Sequence, residues 1–173
     1  MALMAPLVCW AALLLLFAPP VVDESALPLQ PVRLVIPAID VDTGMERLDK
    51  DAEGRLASPV EAQRAGWFVE SPVPGELGAS VVVGHRDSVS GPAVFWRLAD
   101  LRPGNRMFVT RSDGATEKFE VAQVRRVPRT AFPTDDIYGA MPDRALRLIT
   151  CGGRYDARTG GYRENVLVLA LAI

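Results

Sequence analysis

Residues 1–22 carry no charged side chain, and residues 7–17 are almost continuously apolar. From Asp23 onward polar and apolar positions interleave in short runs. The first stretch is long enough to cross a bilayer as a helix of roughly 20 residues. A cleavable signal peptide is the rival reading, but no Lys or Arg precedes the run, and Ala18-Pro19-Pro20 is a poor cleavage site. The segment therefore reads as an uncleaved anchor, with the remaining chain outside the cytoplasm. Residues 23–31, with Pro28 and Pro31, form an extended linker, and residues 32–173 form the folded domain.

Within that domain the pattern predicts short strands. Arg33-Leu34-Val35-Ile36 is a strand stopped by Pro37, and Val41 and Met45 mark a second edge. Gly66-Trp67-Phe68-Val69 is a buried strand, and Ser80-Val81-Val82-Val83 is the most apolar one, ending at Gly84-His85. Val94, Phe95, Leu98 and Leu101 have the spacing of one short amphipathic helix, between Pro92 and Pro103-Gly104. Residues 107–110 and 117–126 are two strands joined by the turn Ser112-Asp113-Gly114. The second shows Phe119 and Val121, then Val124 and Val127 after a bulge. A loop covers residues 131–141. Strands 146–150 and 166–172 close the chain, with a loop at 154–163 between them. Many short strands, one helix and no βαβ rhythm predict an all-β sandwich or closed barrel.

Composition narrows the chemistry. A domain of this size supports one core, and fourteen Pro and fourteen Gly suit strands and turns. The net charge is −2 and no basic stripe interleaves with aromatics, which argues against nucleic acid. Two cysteines are present, Cys9 in the apolar run and Cys151 in the polar domain, so a disulfide between them is not expected. A lone thiol in an exported domain is a candidate reactive group. His85 is the single histidine, so any thiol–imidazole chemistry has its partners named already.

Cys151 stands where an apolar strand runs out, in Leu148-Ile149-Thr150-Cys151-Gly152-Gly153. A free Cys is most often a small core hydrophobe, a lone His is most often structurally bonded, and Arg163, just before the strand Val166-Leu167-Val168-Leu169, fits a solvated charge or a partner of Glu164. Three strand ends bearing Cys, His and Arg can nevertheless converge on one barrel rim. Gly84 removes bulk beside His85, as a close-packed site needs.

Taken in order, these segments resemble the sortase family. Thr150-Cys151 after Leu148-Ile149, Arg163 twelve residues on, and Gly84-His85 at the end of a Val strand carry the likeness. Ile36-Pro37-Ala38-Ile39, Gly84-His85 with Asp87-Ser88, Gly91-Pro92-Ala93-Val94-Phe95, Ala131-Phe132-Pro133-Thr134-Asp135, Leu148 to Gly153 and Tyr162-Arg163-Glu164-Asn165 resemble the actinobacterial class F, with class E second. The likeness extends over about residues 32–172. It implies a closed eight-stranded β-barrel with one or two short helices, here preceded by the N-terminal apolar helix. It also implies a Gram-positive cell-surface cysteine transpeptidase that cleaves a Leu-Pro-x-Thr-Gly-type sorting signal between Thr and Gly and passes the acyl group to an amine. The partners would be signal-bearing surface proteins and an amine on a peptidoglycan precursor or another protein, with no cofactor.

The resemblance assigns Cys151 as nucleophile, His85 as proton-transfer partner and Arg163 as oxyanion stabiliser, with Thr150 orienting substrate. Two departures stand out. Arg86 follows the histidine, where its charge would disfavour the imidazolium, and Gly161 stands where a His often precedes the Tyr-Arg pair. A hydrolytic cysteine peptidase, an L,D-transpeptidase and a non-enzymatic surface barrel with an inert thiol are the alternatives. The L,D-transpeptidase lacks its usual Ser/His-Gly stretch around Cys151. One His and one Cys cannot make a zinc site without several carboxylates, and Asp49, Asp51 and Glu53 read as a solvated turn rather than a calcium site.

Overall fold

The computed structural model describes residues 28–173. The apolar segment 1–22 and most of the linker 23–31 lie outside the described residues. No helix among the described residues is long and apolar enough to cross a membrane.

Ten strands follow in chain order: β1 (Pro31–Ile36), β2 (Val41–Leu48), β3 (Ala65–Phe68), β4 (Gly78–Gly84), β5 (Asp87–Ser88), β6 (Gly91–Pro92), β7 (Arg106–Arg111), β8 (Thr116–Pro128), β9 (Arg144–Asp156) and β10 (Gly161–Ala172). Eight of them close into a barrel in the order β1-β2-β3-β4-β9-β10-β8-β7, and β5 and β6 form a separate two-stranded ribbon. Barrel pairings are antiparallel except β2 with β3 and β4 with β9. Closure leaves no exposed barrel edge to template aggregation. The all-β barrel expected from the strand pattern is therefore present, and the one α-helix among the described residues, α1 (Thr134–Tyr138), is a single short turn.

Alternation explains the packing. Leu34, Ile36, Val109, Phe119, Leu146, Leu148, Val166 and Val168 point inward and belong to one buried core. Strands β4, β9 and β10 are also covered on the outside. There Val81, Ile149 and Leu167 join Phe68, Val127 and Ile137 of α1 in a second cluster. A strand buried on both faces reads as a continuous apolar run rather than an alternating one, as Val81-Val82-Val83 and Leu148-Ile149 do.

Three local expectations differ from the structure. Residues 93–101 make no α-helix: their bonds run Trp96 N–H to Ala93 O, Leu98 N–H to Phe95 O and Leu101 N–H to Leu98 O, all three residues back, ending in a 3-10 turn at Leu98–Asp100. The N–H groups of Ala93, Val94 and Phe95 are drawn instead to Arg86, Ala62 and His85 carbonyls, so tertiary bonds set the backbone. The helical spacing still gives the right burial, since Phe95, Leu98 and Leu101 plug the barrel at 0% exposure.

Loop 131–141 contains α1, and the expected loop 154–163 is mostly strand. In the latter, β9 and β10 continue to a tight turn, where Asp156 Oδ1 accepts the Arg158 N–H at 3.0 Å and Tyr155 packs edge-on against Tyr162. The bulge expected in residues 117–127 is present: Leu169 pairs with Gln123 and Ala170 with Val121, leaving Ala122 extra.

Candidate active site

The parallel pair β4–β9 places the two catalytic candidates side by side. Its register runs to Val83 opposite Ile149. Two residues further along each strand stand His85 and Cys151, and neighbouring strands lie about 4.8 Å apart. Where the ladder stops, Thr150 Oγ1 donates to Gly84 O at 2.7 Å, a side-chain bond that ties the two strand ends together. Thr150 is 4% exposed, and this bond commits its hydroxyl to the frame of the site.

Gly84 is packed against the plug. A Cβ there would stand 2.8 Å from Val94 Cγ1 and collide with the Phe95 ring. Phe95 N–H also donates to His85 O at 2.9 Å. The imidazole is fixed from outside by Pro59 O, 2.8 Å from Nε2. The plug thus holds the His85 backbone and its neighbour, and the segment at Pro59 holds the ring.

His85, Thr150 and Cys151 line one cleft of about 540 Å³. Leu56, Phe132 and Tyr138 line it too, and the same three side chains line a neighbouring apolar hollow with Phe68, Val81 and Met141. One continuous groove therefore leads to the thiol. Cys151 itself is exposed, which sets aside a buried, inert thiol. The surrounding protein still walls it on most sides, and this desolvation pushes the thiol pKa above its ordinary value. Arg129 and Arg86 pull it down, and Asp87 adds to the rise.

Arg163 is placed differently. Glu164 pairs with Gly152 and Tyr162 with Tyr155, so Gly153 and Arg154 together oppose Arg163 in a bulge, with Gly153 at φ 71°. The Arg163 guanidinium lies outside the cleft, exposed, and donates to Asp156 Oδ2 at 2.8 Å. That bond holds the Asp156 carboxyl below the usual range. The glycines after the cysteine serve this bulge rather than open space: a Cβ on Gly152 would meet Val166 Cγ2 at 2.8 Å.

Arg86 is stacked between Trp96 and Tyr162, with its guanidinium carbon 5.1 and 4.9 Å from the ring centroids. Tyr162 in turn donates its hydroxyl to Asp87, which raises the tyrosine pKa. This clamp joins the segment after β4 to the β9–β10 hairpin. Two residues that the sequence did not mark with a role, Arg129 and Asp87, both line the cleft. Asp87 follows His85 closely enough to be guessed, whereas Arg129 comes from a distant turn. Among the described residues no cluster of three or more His, Cys, Asp and Glu is arranged to hold a metal.

Residues 34–173 match the Sortase domain family. This chain belongs to the sortase family. Its members are cysteine transpeptidases that act on surface proteins and amine acceptors. No curated protein matches the chain in sequence. Among solved structures, sortase C-1 from Actinomyces oris is similar at 25% identity and TM-score 0.62, over 82% of this chain and 71% of that one. Sortase A from Corynebacterium diphtheriae gives 22% and 0.62, over 83% and 61%. The Clostridium perfringens sortase D5 transpeptidase gives 20% and 0.62, over 83% and 79%. The last two likenesses speak to fold alone. With the Cys151 cleft, the family makes this sortase a cysteine transpeptidase on an eight-stranded barrel.

Proposed function

We propose that this sortase cleaves a Leu-Pro-x-Thr-Gly-like sorting signal between Thr and Gly, through a thioester on Cys151, and transfers the acyl group to a cell-surface amine. The observation that carries the reading is the juxtaposition of His85 and Cys151 at adjacent parallel strand ends, opening on an apolar groove.

The Cys151 thiolate attacks the Thr carbonyl carbon. As the tetrahedral adduct collapses, the C–N bond breaks and the His85 imidazolium gives its proton to the departing glycine amine. The acceptor amine then attacks the thioester, returns a proton to His85, and expels the thiolate. Leu and Pro of the signal fit the apolar groove between Phe68, Val81, Phe132 and Tyr138. Thr150 contributes by holding the two strand ends. Arg163 is the oxyanion donor once it leaves Asp156; exposed ion pairs are weak, so the exchange is accessible. In this reading the apolar segment 1–22 anchors the enzyme in the membrane of a Gram-positive cell with the barrel outside, and the likeness of its motifs to class F supports assignment to that class.

The test is incubation with Leu-Pro-x-Thr-Gly and Leu-Ala-x-Thr-Gly peptides, with and without amines. Intact mass should show the acyl fragment on Cys151 of the parent, and no adduct or cleavage with Cys151→Ala or His85→Ala. A folded parent that cleaves neither peptide overturns the proposed signal.

A further inference from the structure

We infer that Arg129 is a second guanidinium of the active site, the cation that stabilises the Cys151 thiolate before substrate arrives. The inference rests on the thiol chemistry proposed above but not on the identity of the sorting signal.

The placement begins with register. Cys151 pairs with Asn165, which pairs with Val127 of β8. Arg129 opens the 3-10 turn immediately after that strand, at Arg129–Ala131, and lines the same cleft as the thiol and His85. Its guanidinium lies over Gly161, where a Cβ would stand 2.7 Å from Nη1. The missing side chain at position 161 is what admits the arginine. The departure noted in the sequence, a glycine before Tyr162-Arg163, thus has a structural counterpart.

The other charges facing the thiol are committed elsewhere. Asp87 accepts from Tyr162, and Arg86 is stacked between two rings and donates to Gly153 O at 3.5 Å. The His85 ring is bonded to Pro59 O. On the far side of Cys151, Arg97 is paired with Asp40 and Asp100, while Arg126 lines a second cleft that Cys151, Arg86 and Val166 also border. Arg163 is bound to Asp156, outside the cleft. Among the described residues Arg129 has no carboxylate at ion-pair distance, so its charge is free to act on the thiolate. Tyr138, Tyr155 and Tyr162 are the remaining titratable groups along the walls. Of the cations, Arg129 exerts the largest pull on the thiol.

The experiment reads the thiol directly. The 173-residue chain carrying Cys9→Ser, so that Cys151 is its single thiol, is alkylated with iodoacetamide across pH, beside Arg129→Ala, Arg129→Lys and Gly161→Val variants. Arg129→Ala should move the alkylation midpoint to higher pH, leaving about threefold or more less thiolate at neutral pH. Arg129→Lys should keep most of the parent midpoint, because the charge remains. Gly161→Val should shift it partway, by displacing the guanidinium without removing it. Peptide cleavage by Arg129→Ala should fall in kcat/KM by a similar factor.

An Arg129→Ala midpoint equal to the parent's, in protein whose far-ultraviolet circular dichroism and melting are unchanged, overturns the inference. So does an Arg129→Lys midpoint shifted as far as that of Arg129→Ala. A parent inactive on both peptides counts against the sorting signal alone, since the alkylation arm needs no substrate.

Discussion

The floor of the cleft is the parallel pair β4–β9, where His85 and Cys151 inherit their positions from strands buried on both faces and from the Thr150 bond to Gly84 O. Its outer wall is the β9–β10 hairpin and the turn at Arg129, where the arginines hang on long side chains and exposed backbone. On the floor, moving one group means breaking the barrel. On the wall, a guanidinium can exchange one partner for another by rotating about side-chain bonds. Nucleophile and proton donor need fixed geometry because near-attack distances govern the rate, whereas an oxyanion donor has to be present only once charge develops. The division between rigid floor and adjustable wall matches that division of labour.

The wall is tested most severely by removing Arg163, its proposed oxyanion donor. Arg163→Ala should lower kcat/KM for peptide cleavage by on the order of a hundredfold, the range for losing one such donor. Its thermal melting should stay within a few degrees of the parent's, because Arg163 is exposed. Arg163→Lys should restore little, since a point charge does not reproduce the guanidinium fork. Near-parent turnover in Arg163→Ala would leave Arg163 as a hairpin charge and transfer its role to another wall cation.

A change on the floor should show the opposite signature. Gly84→Ala forces a methyl against Phe95 and Val94, and overpacking of this kind costs about 1–3 kcal/mol. Melting should fall by several degrees and activity with it, as Phe95 is bonded to His85 through the backbone. A stable, fully active Gly84→Ala protein would mean that the plug adjusts freely and that the floor is not rigid.

The unequal legibility of the sequence follows the same boundary. Val81-Val82-Val83 and Leu148-Ile149 announce doubly buried strands, and a lone His and a lone Cys at their ends named the floor residues. The β8 bulge was readable from the phase change between Val121 and Val124. The wall was not. The β9–β10 ladder beyond Cys151 is built from polar residues and glycines, whose pairing is settled by the Asp156 turn and the Tyr155–Tyr162 contact rather than by apolar alternation. Arg129 enters the site from a turn 22 positions upstream of Cys151, and no local pattern points from one to the other. The plug shows a third case. Its helical spacing predicted which side chains are buried but not the backbone, because bonds to Arg86, Ala62 and His85 outweigh local propensity over so short a segment.

The smallest effect should come from Asp156, the residue that holds Arg163 on the outside of the wall. Asp156→Asn removes the charge that retains the guanidinium, while the amide oxygen still accepts the Arg158 N–H that shapes the turn. The hairpin should persist, and Arg163 should reach the cleft more readily. The expected result is a rise in kcat of about twofold, with KM nearly unchanged, since an oxyanion donor acts only in the transition state and a released ion pair at an exposed site changes the free energy little. The pH dependence has a defined sign. The Asp156 carboxyl is held below its usual range, mainly by Arg163, so the contact is present above the unfolded carboxylate pKa of about 3.9 and is lost only as pH falls through the lower folded value. Parent and Asp156→Asn profiles should therefore run parallel from pH 5 upward, within the ordinary buffer range. Steady-state kinetics of peptide cleavage on the two proteins measure both quantities. A fall in kcat would show that Asp156 supports Arg163 in its working position instead of holding it away.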